Sequence, residues 1–199
     1  MHKVFISFHH DNDQYYKDKL VKYGTENNIF IDGSVELGEI PDSWGPQQIR
    51  EYIRDEHLKD TTVTILLVGT ETKNRKHVDW ELYSSMYNGA KNKKSGILVI
   101  NLPSVYCQYH TLCSAEEKEM ILPNEKNWIT ITNRAEYESR YPFMPARIID
   151  NLLKDHVNIS VVNWDDLTLD NLKLLLDKAY SYRISNDYDM SRPMKSKNG

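Results

Sequence analysis

Cysteine is scarce in this chain of 199 residues. Its two cysteines, Cys107 and Cys113, are too few for the disulfide framework of a small secreted domain. Long apolar runs are also missing, since runs such as residues 65–68 are far shorter than the roughly 20 residues that span a bilayer. Strand-like residues begin at Val4, which leaves no room for a signal peptide. We therefore expect a cytoplasmic protein with no membrane anchor.

A surplus of basic residues is absent as well. The chain has 25 Lys and Arg residues against 29 Asp and Glu residues, which gives a formal net charge of −4 with neutral histidines. Proteins that hold DNA or RNA usually carry a basic field, so the composition argues against a nucleic-acid partner. The hydrophobic fraction of 40% is ordinary for a globular chain that buries its own core.

Several familiar site motifs are missing. The chain contains no Gly-x-Gly-x-x-Gly, no Gly-x-x-x-x-Gly-Lys-Ser/Thr and no Gly-x-Ser-x-Gly. Cys107-x-x-His110-x-x-Cys113 offers three soft ligands, but a structural zinc needs a fourth and none stands at a usual spacing. We predict no metal and no resident cofactor.

Short apolar segments alternate with segments of helical periodicity through the first half of the chain. Strands are predicted over residues 4–8, 28–32, 61–68 and 96–101, and helices over residues 14–23, 49–58 and 78–90, with Pro46 near the start of the second helix. The third strand shows little alternation, which is typical of a central strand covered on both faces. This order favours right-handed crossovers in an α/β fold, an open and mostly parallel sheet flanked by helices.

The second half of the chain is less regular. Residues 104–127 form a polar insertion in the pattern, and the tail from 184 is polar. Further strands are predicted at 128–131 and 159–164, and further helices at 115–120, 146–155 and 169–179, the last capped by Asp166 or Thr168. With no repeat and no linker, we predict one domain over residues 1–183, which includes a C-terminal extension, followed by a flexible tail at 184–199.

Loops that follow parallel strands meet at one edge of the sheet, and ligands bind there in folds of this kind. The rule selects His9–Asp13, Asp32–Gly45, Thr70–His77 and the residues after Asn101. Such loops are often polar simply because water surrounds them. Glu81 is different, because it lies inside the third predicted helix, where its carboxylate could point back over the edge towards a ligand. The alternative explanation for a glutamate at this position is a favourable interaction of its carboxylate with the helix dipole.

Four segments together resemble the TIR-like family, and within it the members of bacterial Thoeris anti-phage defence systems. They are Val4-Phe5-Ile6-Ser7-Phe8, the Asp32-Gly33 loop, residues 62–72 and His77-Val78-Asp79-Trp80-Glu81-Leu82. The resemblance covers residues 1–130. TIR domains usually carry Ser-x-Trp-Cys-x-x-Glu-Leu, in which the Glu is catalytic. Glu81 and Leu82 match the end of that motif, whereas Arg75, His77 and Val78 replace its Ser, Trp and Cys.

The resemblance implies a TIR-like, flavodoxin-like fold with Glu81 as the catalytic residue and NAD as a substrate rather than a cofactor. It implies cleavage between nicotinamide and ribose, and cyclisation of the product to a cyclic ADP-ribose isomer that signals to a ThsA-type effector. One carboxylate suffices, because nicotinamide leaves as a neutral molecule and only the oxocarbenium-like ribose needs stabilisation. The candidate substrate contacts are Phe8, His9, Asp11, Asp32, Trp44 and His77.

Two other functions are compatible with these residues. A non-catalytic TIR-like scaffold would signal by self-association through the Ser34–Gly45 loop and its helix faces. A nucleoside deoxyribosyltransferase-like enzyme would also carry a glutamate at the edge of a similar sheet. Two of the candidate contacts, Asp11 and Asp32, are equally well explained as turn residues at strand ends. For Trp80 we favour simple packing in the core.

Overall fold

A computed structural model of the chain describes residues 1–34, 40, 41, 43–90 and 92–199. Its strands are β1 (His2–Ser7), β2 (Phe30–Asp32), β3 (Val63–Val68), β4 (Gly96–Asn101) and β5 (Ser160–Asn163). They form one sheet in the order β2-β1-β3-β4-β5, and the four pairings are parallel. This is the flavodoxin-like strand order.

Seven α-helices lie in the described part of the chain. They are α1 (His10–Glu26), α2 (Pro46–Tyr52), α3 (Lys76–Met86), α4 (Ala115–Ile121), α5 (Arg134–Arg140), α6 (Ala146–Leu152) and α7 (Leu169–Ser185). A π-helix, Ile53–His57, directly continues α2. None of these helices is long and apolar enough to cross a membrane. The predicted α/β fold with a mostly parallel, helix-flanked sheet is confirmed.

The central strands are apolar for a physical reason. Every residue of β3 and of β4 is buried, because helices cover both faces of the sheet at these positions. At the edge, β2 has only three residues, and Ile31 in its middle is exposed. A short edge strand limits unwanted pairing with other chains.

The core lies on both sides of the sheet. On one face, α1 and α7 pack on β1, β3 and β4 through side chains such as Leu20 and Leu175. On the other face, α3 and α6 contribute Leu82 and Ile148. A smaller cluster on that second face includes Trp80, so the prediction that Trp80 packs in the core is confirmed.

The first helix begins earlier than its periodicity predicts. The pattern indicates a helix from Gln14, but α1 starts at His10, and the backbone N–H of Asp13 donates to the His9 carbonyl at 2.9 Å. Asp11 and Asp13 lie in this first turn, where the helix dipole favours carboxylates. The polar segment after β1 is therefore mostly helix rather than loop.

The second half contains both confirmed and wrong predictions. Helix α4 begins with a capping box between Ser114 and Glu117, and Thr168 caps α7 by accepting a hydrogen bond from Asn171 N at 3.2 Å. The predicted strand at 128–131 is wrong, because these residues pair with no strand in the described structure. An isolated antiparallel bridge joins Thr111 to β5 instead.

Polar contacts join α3 to the tail, for which the sequence predicts a flexible segment at 184–199. The backbone N–H of Lys195 donates to Asp79 Oδ2 at 2.8 Å, and Trp80 Nε1 donates to the Lys195 carbonyl at 2.8 Å. Asp79 is itself held by the fully buried Arg147 through two bonds of 2.9 and 3.0 Å. A polar tail packs here because its backbone supplies partners for buried polar groups of α3.

Candidate functional site

The strand order reverses between β1 and β3. The chain passes from β1 to β2 on one side, and from β3 to β4 on the other. Such a switch point leaves a crevice at the carboxyl ends of the two strands, where open parallel sheets bind their ligands. The segments that border this crevice begin at Phe8 after β1 and at Gly69 after β3.

Glu81 lies in the second turn of α3 and points towards the sheet. Its Oε2 accepts a hydrogen bond of 2.5 Å from Ser7 Oγ, at the end of β1. Glu81 is only 2% exposed, so its carboxyl group is enclosed between helix and sheet and does not point over the edge. One turn further along α3, Ser85 Oγ pairs with Thr64 Oγ1 of β3 at 2.8 Å. Polar contacts thus join α3 to both strands that flank the switch point.

Burial controls the ionisation of Glu81. Loss of water around the carboxylate raises the pKa of Glu81 from its ordinary value of 4.5 to about 8, and the hydrogen bond from Ser7 opposes this rise. At pH 7 the enclosed carboxyl group is therefore mostly protonated. Strongly shifted carboxyl groups cluster at functional sites, which makes Glu81 a candidate on chemical grounds as well as by position.

Phe8 and His9, the two residues that follow β1, have side chains in different environments. Phe8 is 5% exposed, belongs to the core on the α1 face of the sheet and stacks on His10 with ring centroids 4.3 Å apart. His9 is 6% exposed, and its Nε2 lies 3.5 Å from Oδ2 of the exposed Asp11. Burial and the charge of Arg75 lower the pKa of His9, so its imidazole is neutral at pH 7. His9 thus lies close to the segment after β3, whereas Phe8 packs in the core.

The connection between β2 and α2 begins with a turn. Asp32 Oδ1 accepts a hydrogen bond from the backbone N–H of Ser34 at 2.9 Å, which is the turn arrangement that the sequence left open for this residue. The self-association hypothesis concerns the loop from Ser34 to Gly45. Of this loop, residues 35–39 and Asp42 lie outside the described residues.

Trp44 and His77 both lie beside the core cluster of Trp80. The His77 ring meets the Trp80 ring edge-on at 4.9 Å between centroids. Trp44 and Trp80 line a cavity of about 490 Å³ together with residues 194–198 of the tail. Glu81 and His77 are not among the residues that line this cavity.

Sequence reasoning did not single out two residues of this region, Ser7 and Asp13, although both lie in segments that it selected. Asp13 is 4% exposed and packs directly on Gly69, where an added Cβ would lie 2.4 Å from Asp13 Oδ2. Burial raises the pKa of Asp13 to about 6, and a hydrogen bond with Thr72 opposes this rise. The sequence feature that could have pointed to a close contact here is Gly69, a residue without a side chain directly after an apolar strand.

The possible soft-metal ligands have separate partners. His110 Nε2 lies 2.7 Å from Asp166 Oδ2, and Cys113 Sγ accepts a hydrogen bond from Ser160 Oγ at 3.5 Å. Burial raises the pKa of Cys113 to about 12, which keeps its thiol protonated. In the part of the chain that the structure describes, no three His, Cys, Asp or Glu side chains form a group that could hold a metal ion.

The strand order, the helices on both faces and the glutamate of α3 beside β1 match the arrangement of a TIR-like domain. A family model described as "Thoeris protein ThsB, TIR-like domain" matches residues 5–106, and the chain belongs to this family. The matched region contains the second half of β1, the whole of β2, β3 and β4, and Glu81, whereas residues 1–4 and 107–199 lie outside it. A search of curated proteins finds no significant match.

Proposed function

We propose that this chain is an enzyme that cleaves NAD at the bond between nicotinamide and ribose, with Glu81 as its catalytic residue. The observation that carries the proposal is the buried hydrogen bond of 2.5 Å between Ser7 and Glu81, beside the switch point of the sheet. Membership of the ThsB TIR-like family supports it, because Glu81-Leu82 stands where the TIR domains that this chain resembles carry their catalytic glutamate.

The charge of NAD complements the state of Glu81. The nicotinamide ring is a cation while it is attached to ribose, and a nearby cation favours the ionised form of a carboxyl group. Binding of this end of NAD therefore opposes the burial that keeps Glu81 protonated, and the proton is released. The Ser7 hydroxyl remains as a donor that orients the resulting carboxylate.

The cleavage step needs no general acid. When the bond between C1′ of ribose and the ring nitrogen breaks, its electron pair goes to the nitrogen, so nicotinamide leaves neutral. The positive charge stays on the ribose, where the ionised Glu81 stabilises it in a site that contains little water. A hydroxyl group then attacks C1′, and its proton passes to Glu81, whose raised pKa makes it an effective acceptor near neutral pH.

The attacking hydroxyl decides the product. Water gives ADP-ribose, whereas a hydroxyl of the adenosine ribose gives a cyclic ADP-ribose isomer when the substrate is folded back and water is excluded. We propose the cyclic product, acting as a signal to a ThsA-type effector, because the chain belongs to a Thoeris family. Glu81 is enclosed, so substrate binding has to open a path to it.

Measurement of small molecules in phage-infected cells tests this function. Cells that express the wild type should accumulate nicotinamide and a cyclic ADP-ribose isomer, and cells that express Glu81→Gln should not. The glutamine amide oxygen can still accept the Ser7 hydrogen bond, so this variant should keep its fold. Glu51→Gln, on the exposed surface of α2, is the matched control and should behave as the wild type.

Two outcomes would contradict the proposal. Full turnover by Glu81→Gln would remove Glu81 from the reaction. Intact anti-phage defence in cells that produce no NAD-derived molecule would favour the non-catalytic scaffold, which otherwise stays a prediction. Incubation of the purified protein with NAD, followed by measurement of released nicotinamide, gives the same comparison in vitro.

A further inference from the structure

Three buried side-chain atoms near the switch point have no hydrogen-bond partner among the described residues. They are His9 Nδ1, Asp13 Oδ2 and Arg75 Nε. A buried polar group without a partner lowers stability, so native structures retain one only where something else is gained. A ligand that supplies the missing partners is one such gain.

The three residues form one cluster. Asp13 packs on Gly69 and hydrogen-bonds Thr72, which places it against the segment that follows β3. Arg75 ends the same segment, and its charge is close enough to His9 to lower the pKa of that imidazole. The cluster therefore lies between the carboxyl ends of β1 and β3, at the switch point.

The chemistry of the cluster selects a class of ligand. A guanidinium group binds phosphate oxygens, and a carboxyl group accepts hydrogen bonds from sugar hydroxyls. A neutral imidazole can donate a hydrogen bond to a phosphate oxygen, and can donate to or accept from a sugar hydroxyl. A metal cation is a poor fit, because no three His, Cys, Asp or Glu side chains among the described residues form a group that could hold one, and Arg75 brings a positive charge. A ribose-phosphate unit presents the complementary groups.

We infer that His9, Asp13 and Arg75 form a subsite for the ribose-phosphate part of a nucleotide, with Arg75 on phosphate and Asp13 on ribose hydroxyls. This inference rests on the proposed function, in which the nucleotide is the adenosine half of NAD. Ser7, which holds Glu81, and His9 are two residues apart, so their Cα atoms are separated by at most about 7 Å. One extended dinucleotide can therefore reach both the cluster and Glu81.

Binding of ADP-ribose to the full chain tests the subsite directly. ADP-ribose lacks nicotinamide and needs no cleavage, so isothermal titration calorimetry reports binding alone. The wild type should bind it, and Asp13→Asn and Arg75→Gln should each weaken binding about tenfold, as expected for the loss of a hydrogen bond to a charged group. The matched controls, Asp18→Asn on α1 and Arg50→Gln on α2, should bind as the wild type.

A purely structural role of Asp13 predicts a different result. If Asp13 served only to hold the fold, Asp13→Asn would lower the melting temperature. If Asp13 belongs to the subsite, the same substitution should leave the melting temperature unchanged or raise it, because Asp13 Oδ2 has no partner in the structure. Gly69→Ala is a second variant, because its methyl group would push the Asp13 carboxyl aside while Asp13 itself remains. It should weaken ADP-ribose binding as Asp13→Asn does.

Substrate choice separates this inference from the proposed function. Nicotinamide riboside has no phosphate and no adenosine, so the loss of kcat/KM that Arg75→Gln causes should be smaller with this substrate than with NAD, whereas Glu81→Gln should cleave neither substrate. If Asp13→Asn and Arg75→Gln keep the wild-type KM for NAD, or if the wild type does not bind ADP-ribose, the subsite is refuted. If ADP-ribose binds as expected but NAD is never cleaved, the proposed function fails and the subsite stands.

Discussion

Ser7 donates a hydrogen bond of 2.5 Å to Glu81, a residue 74 positions away, and both side chains are almost completely buried. The pair joins the last residue of β1 to the second turn of α3. It therefore couples the position of the candidate catalytic carboxyl group to the strand that borders the crevice. Both its geometry and its ionisation can be tested by substitution.

Glu81→Gln should change how stability depends on pH. The pKa of Glu81 is raised from 4.5 to about 8, so between these values the folded protein holds a proton that the unfolded chain has lost. The wild type therefore loses stability as pH rises through this window, by up to about 1.4 kcal/mol per pH unit from this group. Glutamine does not titrate and should remove this loss. Urea unfolding at pH 5 and pH 8 measures the difference.

The exposed Glu51→Gln should show no such change, which makes it the control for the loss of one negative charge. A stability difference between wild type and Glu81→Gln that is the same at both pH values would contradict the raised pKa. It would also weaken the proton transfer that the proposed reaction assigns to Glu81.

Ser7→Ala should move the pH dependence of NAD cleavage upwards. The hydrogen bond from Ser7 lowers the pKa of Glu81, so its removal raises that pKa further and leaves less carboxylate at neutral pH. We expect kcat/KM at pH 7 to fall about tenfold and the rise in activity to occur at higher pH. The measurement is nicotinamide release from NAD across a pH series.

Ser85→Ala is the control for Ser7→Ala. It removes a buried hydrogen bond of 2.8 Å to Thr64 at the same interface between α3 and the sheet, but leaves the donor to Glu81 in place. Its pH profile should coincide with that of the wild type. Equal shifts in the two variants would mean that the interface as a whole, rather than the Ser7 hydroxyl, sets the ionisation of Glu81.

Arg147→Ala should destabilise the fold strongly. Arg147 is fully buried and binds both carboxylate oxygens of Asp79, so its removal leaves a buried charge without its partner. Breaking such a pair costs about 3–5 kcal/mol. Arg147 also donates to the backbone carbonyls of Arg192 and Pro193, so its loss should detach the tail, and the amide of Lys195, which donates to Asp79, should lose protection from hydrogen exchange. Urea unfolding and hydrogen exchange measure the two effects.

Arg140→Ala provides the comparison for that prediction. Arg140 pairs with Glu136 of the same helix, and both side chains are partly exposed, so the loss should be below about 1 kcal/mol. If the two arginine variants lose similar stability, the buried pair between α3 and α6 does not have the structural role assigned to it.

The elements of the first half could be predicted because local patterns reflect burial. β3 and β4 lie between two helical layers, and their sequences are apolar throughout. The strand predicted at 128–131 was wrong for a related reason. A strand needs a neighbour with free backbone groups as well as suitable residues, and β5 pairs with Thr111 instead.

The candidate site could be predicted only in part. Glu81 was found because a short local motif marks it, whereas Asp13 stands in a polar segment that resembles any solvated loop. Its importance depends on Gly69, a residue 56 positions later in the chain, and a single sequence does not show which distant residues meet.

The order of strands and helices and the place of Glu81 on the third helix were determined by the sequence itself, because periodicity and a short motif are local properties. Tertiary structure alone decided that Glu81 is enclosed against Ser7, that Asp13 rests on Gly69 and that the tail packs on α3. Burial and partner distances arise only when the sheet closes and segments far apart in the chain are brought together.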